Sequence, residues 1–209
     1  MIREKQEQLE TLAEPLRTEG VDVETKVLNG KSSVEIIREV LRDKHDLVMR
    51  VAKGSSSRRK GFFGTTGIRL LRECPCAVHL VAPNSPSPVR HVLACVDTST
   101  AEPIDAELNE NIFQVAEAIS KRHSAKLSIA HAWTISSKQL LDGRIATREF
   151  EQLKRGRQEH IEGLFDKSLR GHGCAIDDDF VHILKGDAPT VIPEFASLEG
   201  VDLIVMGTA

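Results

Sequence analysis

The feature that most narrows the fold is that the chain repeats part of itself. Residues 27–49 read "VLNGKSSVEIIREVLRDKHDLVM" and residues 183–205 read "ILKGDAPTVIPEFASLEGVDLIV". Gly30 and Gly186 stand 156 positions apart, and so do Asp46 and Asp202. In each copy an apolar stretch of strand length runs into a glycine, a helix-length segment follows, and an Asp opens a second apolar stretch. A shared glycine alone is coincidence, but strand, glycine, helix, Asp and strand in constant register is a duplication. Strands that alternate with helices build a parallel sheet covered on both faces. The expected fold is therefore α/β, three-layered and doubly wound, with two related domains in tandem.

The remaining segments fill in the alternation. Ile2, Leu9, Leu12, Ala13 and Leu16 fall on one helical face, which predicts a helix over 2–19 stopped by Gly20. Residues 21–28 alternate like a strand. The segment 32–45 reads as a helix with Ser32 or Ser33 as N-cap and Glu35 in its first turn. A strand at 46–51, a loop, a helix at 65–74 and a buried strand at 76–82 complete the first domain. Residues 83–88, "PNSPSP", carry three prolines and read as a linker. The second domain, 89–209, restarts the pattern with a strand at 91–97. A helix from Asp105 to His123 follows, with Leu108, Ile112, Val115 and Ile119 inward. Then come a strand at 126–133, a charged helix over Thr147 to Leu169, a strand at 178–184, a helix after Pro189 and a strand at 201–207. The 156-residue offset places the first-copy counterpart of residues 91–97 before Met1. It places the second-copy counterparts of 52–82 beyond Ala209. The expectation is the rear part of one repeat followed by the front part of the next.

Charge and composition remove several function classes. A net charge of −3 and a pI near 6.3 argue against a general nucleic-acid binder. With no Tyr and 4% aromatics there is little to stack bases on. No apolar run approaches the ~20 residues of a membrane span, and the opening "MIREKQEQLE" is too charged for a signal peptide. The cytoplasm is the expected compartment, with no membrane partner. Of the four cysteines, Cys74 and Cys76 flank one residue, where zinc hairpins have two or more, and no second pair follows. Reduced, buried thiols and no metal are expected.

Several stretches taken together are similar to the universal stress protein family, and to its tandem-domain E type: "HDLVM", "GTTGIRLLRECPCAVHLV", "HVLACVDTST", "AELNENIFQVAEAI", "LKGDAPTVIPEFA" and "DLIVMGT". Their order and spacing carry the resemblance, which covers essentially the whole chain. It implies the strand order 3-2-1-4-5 and an adenine-nucleotide hydrolase-like fold. Nucleotide-binding members carry Gly-x2-Gly-x9-Gly-Ser/Thr after their fourth strand, where backbone N–H groups close on phosphate beside a helix N-terminus. In the first copy Gly54 and Gly64-Thr65 keep that separation, while Val51 replaces the leading glycine. The cationic loop Ser55–Lys60 is then either a residual anion site or a solvated loop. In the second copy Met206-Gly207 matches the family's Met-Gly. The resemblance also places Val96, Asp97 and Ala132 in the nucleotide pocket, with Asp97 on ribose hydroxyls and Ala132 against adenine. Asp97 has an alternative role as the cap of its own turn, "DTST".

The remaining polar clusters point elsewhere. Asp177, Asp178 and Asp179 open a strand, so their side chains diverge. His131 reads as a hydrogen-bonded core residue, and His160 and His172 lie on or beside a polar helix. No nucleophile–base–orienter set of the kind acyl transfer needs is visible, so an enzyme is not expected. What the resemblance implies is a cytoplasmic protein of the stress response, including resistance to DNA damage or starvation. It would act as a nucleotide-binding regulator or as a ligand-free interaction module, with ATP hydrolysis the weaker alternative. ATP is not expected to bind this chain tightly. Self-association is expected, as a homodimer or by exchange of the strand "CAVHLVA" onto an open sheet edge.

Overall fold

The computed structural model describes residues 2–52, 64–99, 102–134 and 147–207, with backbone alone at 147–151, 153 and 154. Two units divide the chain, Met1–Asn84 and Ser85–Ala209.

The first unit contains α1 (Ile2–Thr18), α2 (Ser32–Asp43), β1 (Leu47–Val51), α3 (Gly64–Glu73) and β2 (Ala77–Val81). β1 and β2 are parallel, with Leu47 opposite Ala77 and Val51 opposite Val81. The buried apolar residues of this unit are Ala13, Val40, Ala52 and Leu70. Residues 21–29 form no strand, contrary to the alternation of their sequence. A strand exists through its ladder, and among the described residues of this unit the ladder joins β1 to β2 alone. The segment is tethered by side chains instead: Arg17 donates to the Val23 carbonyl at 3.0 Å, and Gln6 donates to the Thr25 hydroxyl at 2.7 Å.

The second unit contains β3 (His91–Cys95), α4 (Pro103–His123), β4 (Lys126–Trp133), α5 (Thr147–Arg170), β5 (Val181–Lys185), α6 (Ala188–Leu198) and β6 (Leu203–Met206). Its sheet is wholly parallel in the order β5-β4-β3-β6. Helices cover both faces, so β3 is apolar on both and every residue from His91 to Cys95 is buried. One face carries Val92, Ala94, Val96, Ile129 and Val181 under Ile112, Phe113 and Ala116 of α4 and Phe165 and Leu169 of α5. The other carries Leu93, Cys95 and Ala130 under Ile192 and Phe195 of α6.

Two local expectations need correction. The inward stripe of α4 is Asn109, Ile112, Phe113, Ala116 and Ser120, while Leu108 and Val115 stay partly exposed. The helix is turned so that the aromatic ring of Phe113, the largest apolar surface it offers, meets the core. The residue before α2 is Lys31, without a side-chain cap, and Ser33 is buried inside the helix.

The duplication is legible in the backbone. Gly30 and Gly186 adopt φ of 148° and 142°. A Cβ on either would strike Glu35 or Val191 respectively, themselves equivalent positions. Just past the helices that follow, Lys44 and Gly200 are again equivalent, with φ of 55° and 63°. Among the described residues no helix is long and apolar enough to cross a membrane.

Candidate functional site

From β3 the chain steps to β4 and β5 on one side, then returns to lay β6 on the other. The boundary between β3 and β6 is therefore the topological switch point, where open parallel sheets form a crevice at the strands' carboxyl ends. The register sets Cys95 opposite both Ala130 and Met206. One residue beyond that level stand Val96 after β3, His131 on β4 and Gly207 after β6, and one residue further come Asp97 and Ala132. The sequence-predicted site residues of the second unit thus lie on successive levels at the carboxyl edge of three neighbouring strands.

Their surroundings differ. Val96 is buried, its N–H bonded to the Ala130 carbonyl at 3.0 Å. Asp97 is exposed, but its backbone is clamped by the α4 side chain of Asn109. The Asp97 N–H donates to Asn109 Oδ1 at 3.0 Å, and Asn109 Nδ2 donates to the Asp97 carbonyl at 2.6 Å. Asp97 Oδ1 accepts the Ser99 N–H at 2.9 Å, the turn-capping role open in the sequence. Ala132 is half-buried and Met206 exposed. Gly207 has a packing reason to be glycine: an added Cβ would stand 2.6 Å from Leu108 Cδ2. In the first unit, Gly64 is buried at the start of α3 with φ of 72° and Thr65 is exposed. Gly54 and the Ser55–Lys60 loop lie outside the described residues.

His131 is fully buried. Its Nδ1 lies 3.1 Å from the Val96 carbonyl and 3.5 Å from the Thr98 N–H, and its ring packs 5.5 Å from that of Phe165. Among the described residues, neither Nε2 nor the Thr98 hydroxyl, both buried, has a hydrogen-bond partner. Asp178 sits in a turn before β5, where its carboxylate accepts the Ala175 N–H at 2.7 Å, so the Asp177–Asp179 run caps a turn and does not open a strand. His172 stacks on Phe113 with centroids 4.0 Å apart and meets Glu110 at 3.1 Å.

One constellation was invisible in the sequence because its members are far apart along it. Ser128 Oγ lies 2.9 Å from His91 Nε2, and His91 Nδ1 lies 3.1 Å from the Glu199 carbonyl. Nucleophile, base and orienter are in reach of one another, yet both side-chain-bearing residues are buried. No substrate can approach Ser128, and the set instead fastens β3 to β4 and to the end of α6. On the same sheet face, His182 packs 4.6 Å from the Phe195 ring, and burial pushes its pKa down.

In the first unit, ligand atoms of Glu39, Asp43 and His45 lie within 4.8 Å of one another. Lys26 already bonds both carboxylates, at 3.1 Å to Asp43, and Arg42 contacts both as well. Hydrogen bonds from Lys26 and then Arg42 hold the Asp43 carboxyl down at about 2, so this is an ion-pair cluster. Burial pushes the Cys95 thiol up to about 12. Cys76 is pushed to about 11 by burial first, then by Cys74 and the Asp46 charge.

A parallel α/β sheet with candidate ligand residues gathered at its switch point defines a class shared by many functions; comparison with known proteins narrows it. The profile of the Universal stress protein family matches residues 1–82 and again 88–209. The chain belongs to that family, with one match in each unit. It is 28% identical over 197 residues to Universal stress protein E of Salmonella typhi, covering 90% of this chain and 60% of that protein. The counterpart in Escherichia coli (strain K12) is 26% identical over 194 residues, with the same coverage. The chain thus spans about 60% of the length of the curated relatives it matches. Among solved structures, a functionally unknown protein from Pseudomonas aeruginosa PAO1 superposes with a TM-score of 0.76 at 24% identity, covering 97% of this chain and 66% of the other. A universal stress protein from Archaeoglobus fulgidus DSM 4304 does so with a TM-score of 0.65 at 17% identity, covering 99% and 67%. At those identities the likeness speaks for the fold.

Proposed function

We propose that the crevice between β3 and β6 holds the adenosine half of an adenine nucleotide, and that the protein is a cytoplasmic, nucleotide-dependent regulator in a stress response. The observation that supports this best is the grouping of Val96, Asp97, Ala132 and Gly207 at the switch point of the sheet. Asn109 fixes the Asp97 backbone, so its carboxylate is presented at the edge without added ordering cost. The burial of His131 and of the Ser128–His91 pair supports binding without turnover. In the family's glycine pattern, phosphate is held by N–H groups that follow Gly207. Each such charge-assisted bond is worth about 1.5–3 kcal/mol, so three of them account for over three decades of affinity.

Calorimetric titration tests this. The chain of residues 1–209 should give no measurable heat with ATP, while a version extended to the length of the curated relatives should bind it. Asp97→Ala in the extended version should weaken binding by roughly tenfold or more. An extended protein indifferent to ATP, or to Asp97→Ala, would sink the reading. The ligand-free interaction module is the second reading, and two contacts favour it: Leu108 fills the space a Cβ on Gly207 would need, and Asp97 caps Ser99. Among the described residues the outer edge of β6 carries no strand, and Met206 on that strand is exposed, which favours self-association there. Light scattering showing a strict monomer at high concentration would count against that association.

A further inference from the structure

Two of the reduced cysteines meet across a single proline. Cys74 follows the end of α3, where its N–H donates to the Leu70 carbonyl at 2.9 Å, and Cys76 directly precedes β2. A helix end and a strand start are thus joined by Pro75, whose ring fixes φ. The spacing of the two thiols is set by the backbone on both sides. The sulfurs stand 3.6 Å apart and both residues are partly exposed.

We infer that Cys74 and Cys76 are a dithiol chelate for a soft metal ion. On a tetrahedral ion with metal–sulfur bonds of about 2.3 Å, two thiolates lie about 3.8 Å from each other. The pair is therefore set close to a chelating bite before any ion arrives, so binding demands little rearrangement. Thiolate softness selects zinc-type and cuprous ions over magnesium or calcium. Asp46 precedes Leu47 as Cys76 precedes Ala77, its strand partner, so the register sets the negatively charged Asp46 beside Cys76. A cation at the sulfurs is favoured by the same charge. The one-residue spacing that excludes a four-cysteine zinc hairpin does not bear on a two-thiolate site whose other positions are open to water. The chemistry is ligand exchange: two S–H bonds give up protons, two metal–sulfur bonds form, and nothing is oxidised or reduced. Without the ion, an S–H···S hydrogen bond links the thiols.

The test is a titration of the whole, reduced, metal-free chain with Cd(II) alone, read by ultraviolet thiolate-to-metal charge transfer and by proton release. We expect a saturating band with about two protons released per ion bound. Cys74→Ser and Cys76→Ser should each lower affinity by roughly tenfold or more, and Asp46→Asn by less. Cys174→Ser should leave the titration unchanged. No band, or the same band in both serine variants at those positions, overturns the assignment. Alkylation of the unaltered chain gives a readout that needs no substitution. Cd(II) should shield Cys74 and Cys76 from iodoacetamide, and equal labelling of both with and without the ion would also overturn it.

Discussion

The two units hold the same loop, helix and strand, and the same local sequence gives the same local backbone in both. Gly30 matches Gly186 and Lys44 matches Gly200 to within about 10° of φ. What differs is the surroundings of the strand that follows. In β6, Leu203 and Val205 pack against the core under α4. In β1, the equivalent Leu47 and Met49 are 50% and 62% exposed, and Val51, at the position of Gly207, is 62% exposed. Strand conformation is thus written locally, whereas burial belongs to whatever packs on the strand. A four-stranded sheet with helices on both faces supplies that cover, and a two-stranded one does not.

The sharpest way to break this comparison is native-state hydrogen exchange on the whole chain. Amides of β3 and β4 should exchange at least about a hundredfold more slowly than those of β1 and β2, a gap of about 3 kcal/mol. Expressed alone, residues 1–82 should lack cooperative unfolding, because the apolar residues they bury are few. Equal protection in both sheets would mean that the exposed face of β1 is covered in solution. Side-chain truncation repeats the contrast at single positions. Leu93→Ala, at a fully buried site, should cost about 2–5 kcal/mol in denaturant unfolding. Met49→Ala should stay within about 0.5 kcal/mol, as at other exposed positions.

Most of the fold was legible because it is periodic. Every described strand and helix falls within a few residues of where apolar patterning puts it, β4 matches residue for residue, and the strand expected at 21–28 does not form. Residues 21–28 misled because alternation reports a strand's potential and not its ladder partner. The rotation of α4 was hidden because its two apolar stripes overlap at Ile112, and only the shape of the core chooses between them. The geometry of the candidate site was half legible. Asp97, Val96, Ala132 and Gly207 converge because strand ends in a parallel sheet must. Asn109 as the clamp on Asp97, and Leu108 as the occupant beside Gly207, depend on how α4 sits, which no spacing in the sequence records.

A smaller effect separates the two equivalent glycines. Both hold φ near +145°, so alanine strains the backbone at either position. At Gly186 the new Cβ would lie 2.5 Å from Val191 Cγ1, on a stiff β-branched side chain. At Gly30 it would lie 2.7 Å from Glu35 Oε1 and 2.9 Å from its Cγ, on an unbranched side chain with more rotamers to yield into. Gly186→Ala should therefore cost about 2–3 kcal/mol in thermal or denaturant unfolding and Gly30→Ala about 1 kcal/mol. Equal costs would show that the backbone strain decides both and the neighbour neither.

The smallest effect tests the equivalence itself, at the helix ends. Lys44 and Gly200 both sit in the left-handed conformation, at φ of 55° and 63°. A lysine there bears a steric cost of about 1 kcal/mol that a glycine avoids. Part of that advantage is offset by the larger entropy glycine loses on folding. Lys44→Gly should then stabilise α2 by about 0.5 kcal/mol, read as slower amide exchange along that helix. Gly200→Lys should destabilise the second unit by a similar amount, because nothing lies within 4 Å of the Cβ it would add and backbone conformation is the sole cost. Opposite signs and matching sizes would show that the duplicated turn is energetically as well as geometrically the same. A Gly200→Lys loss several times the Lys44→Gly gain would place the difference in the surroundings, as it is for the strands that follow.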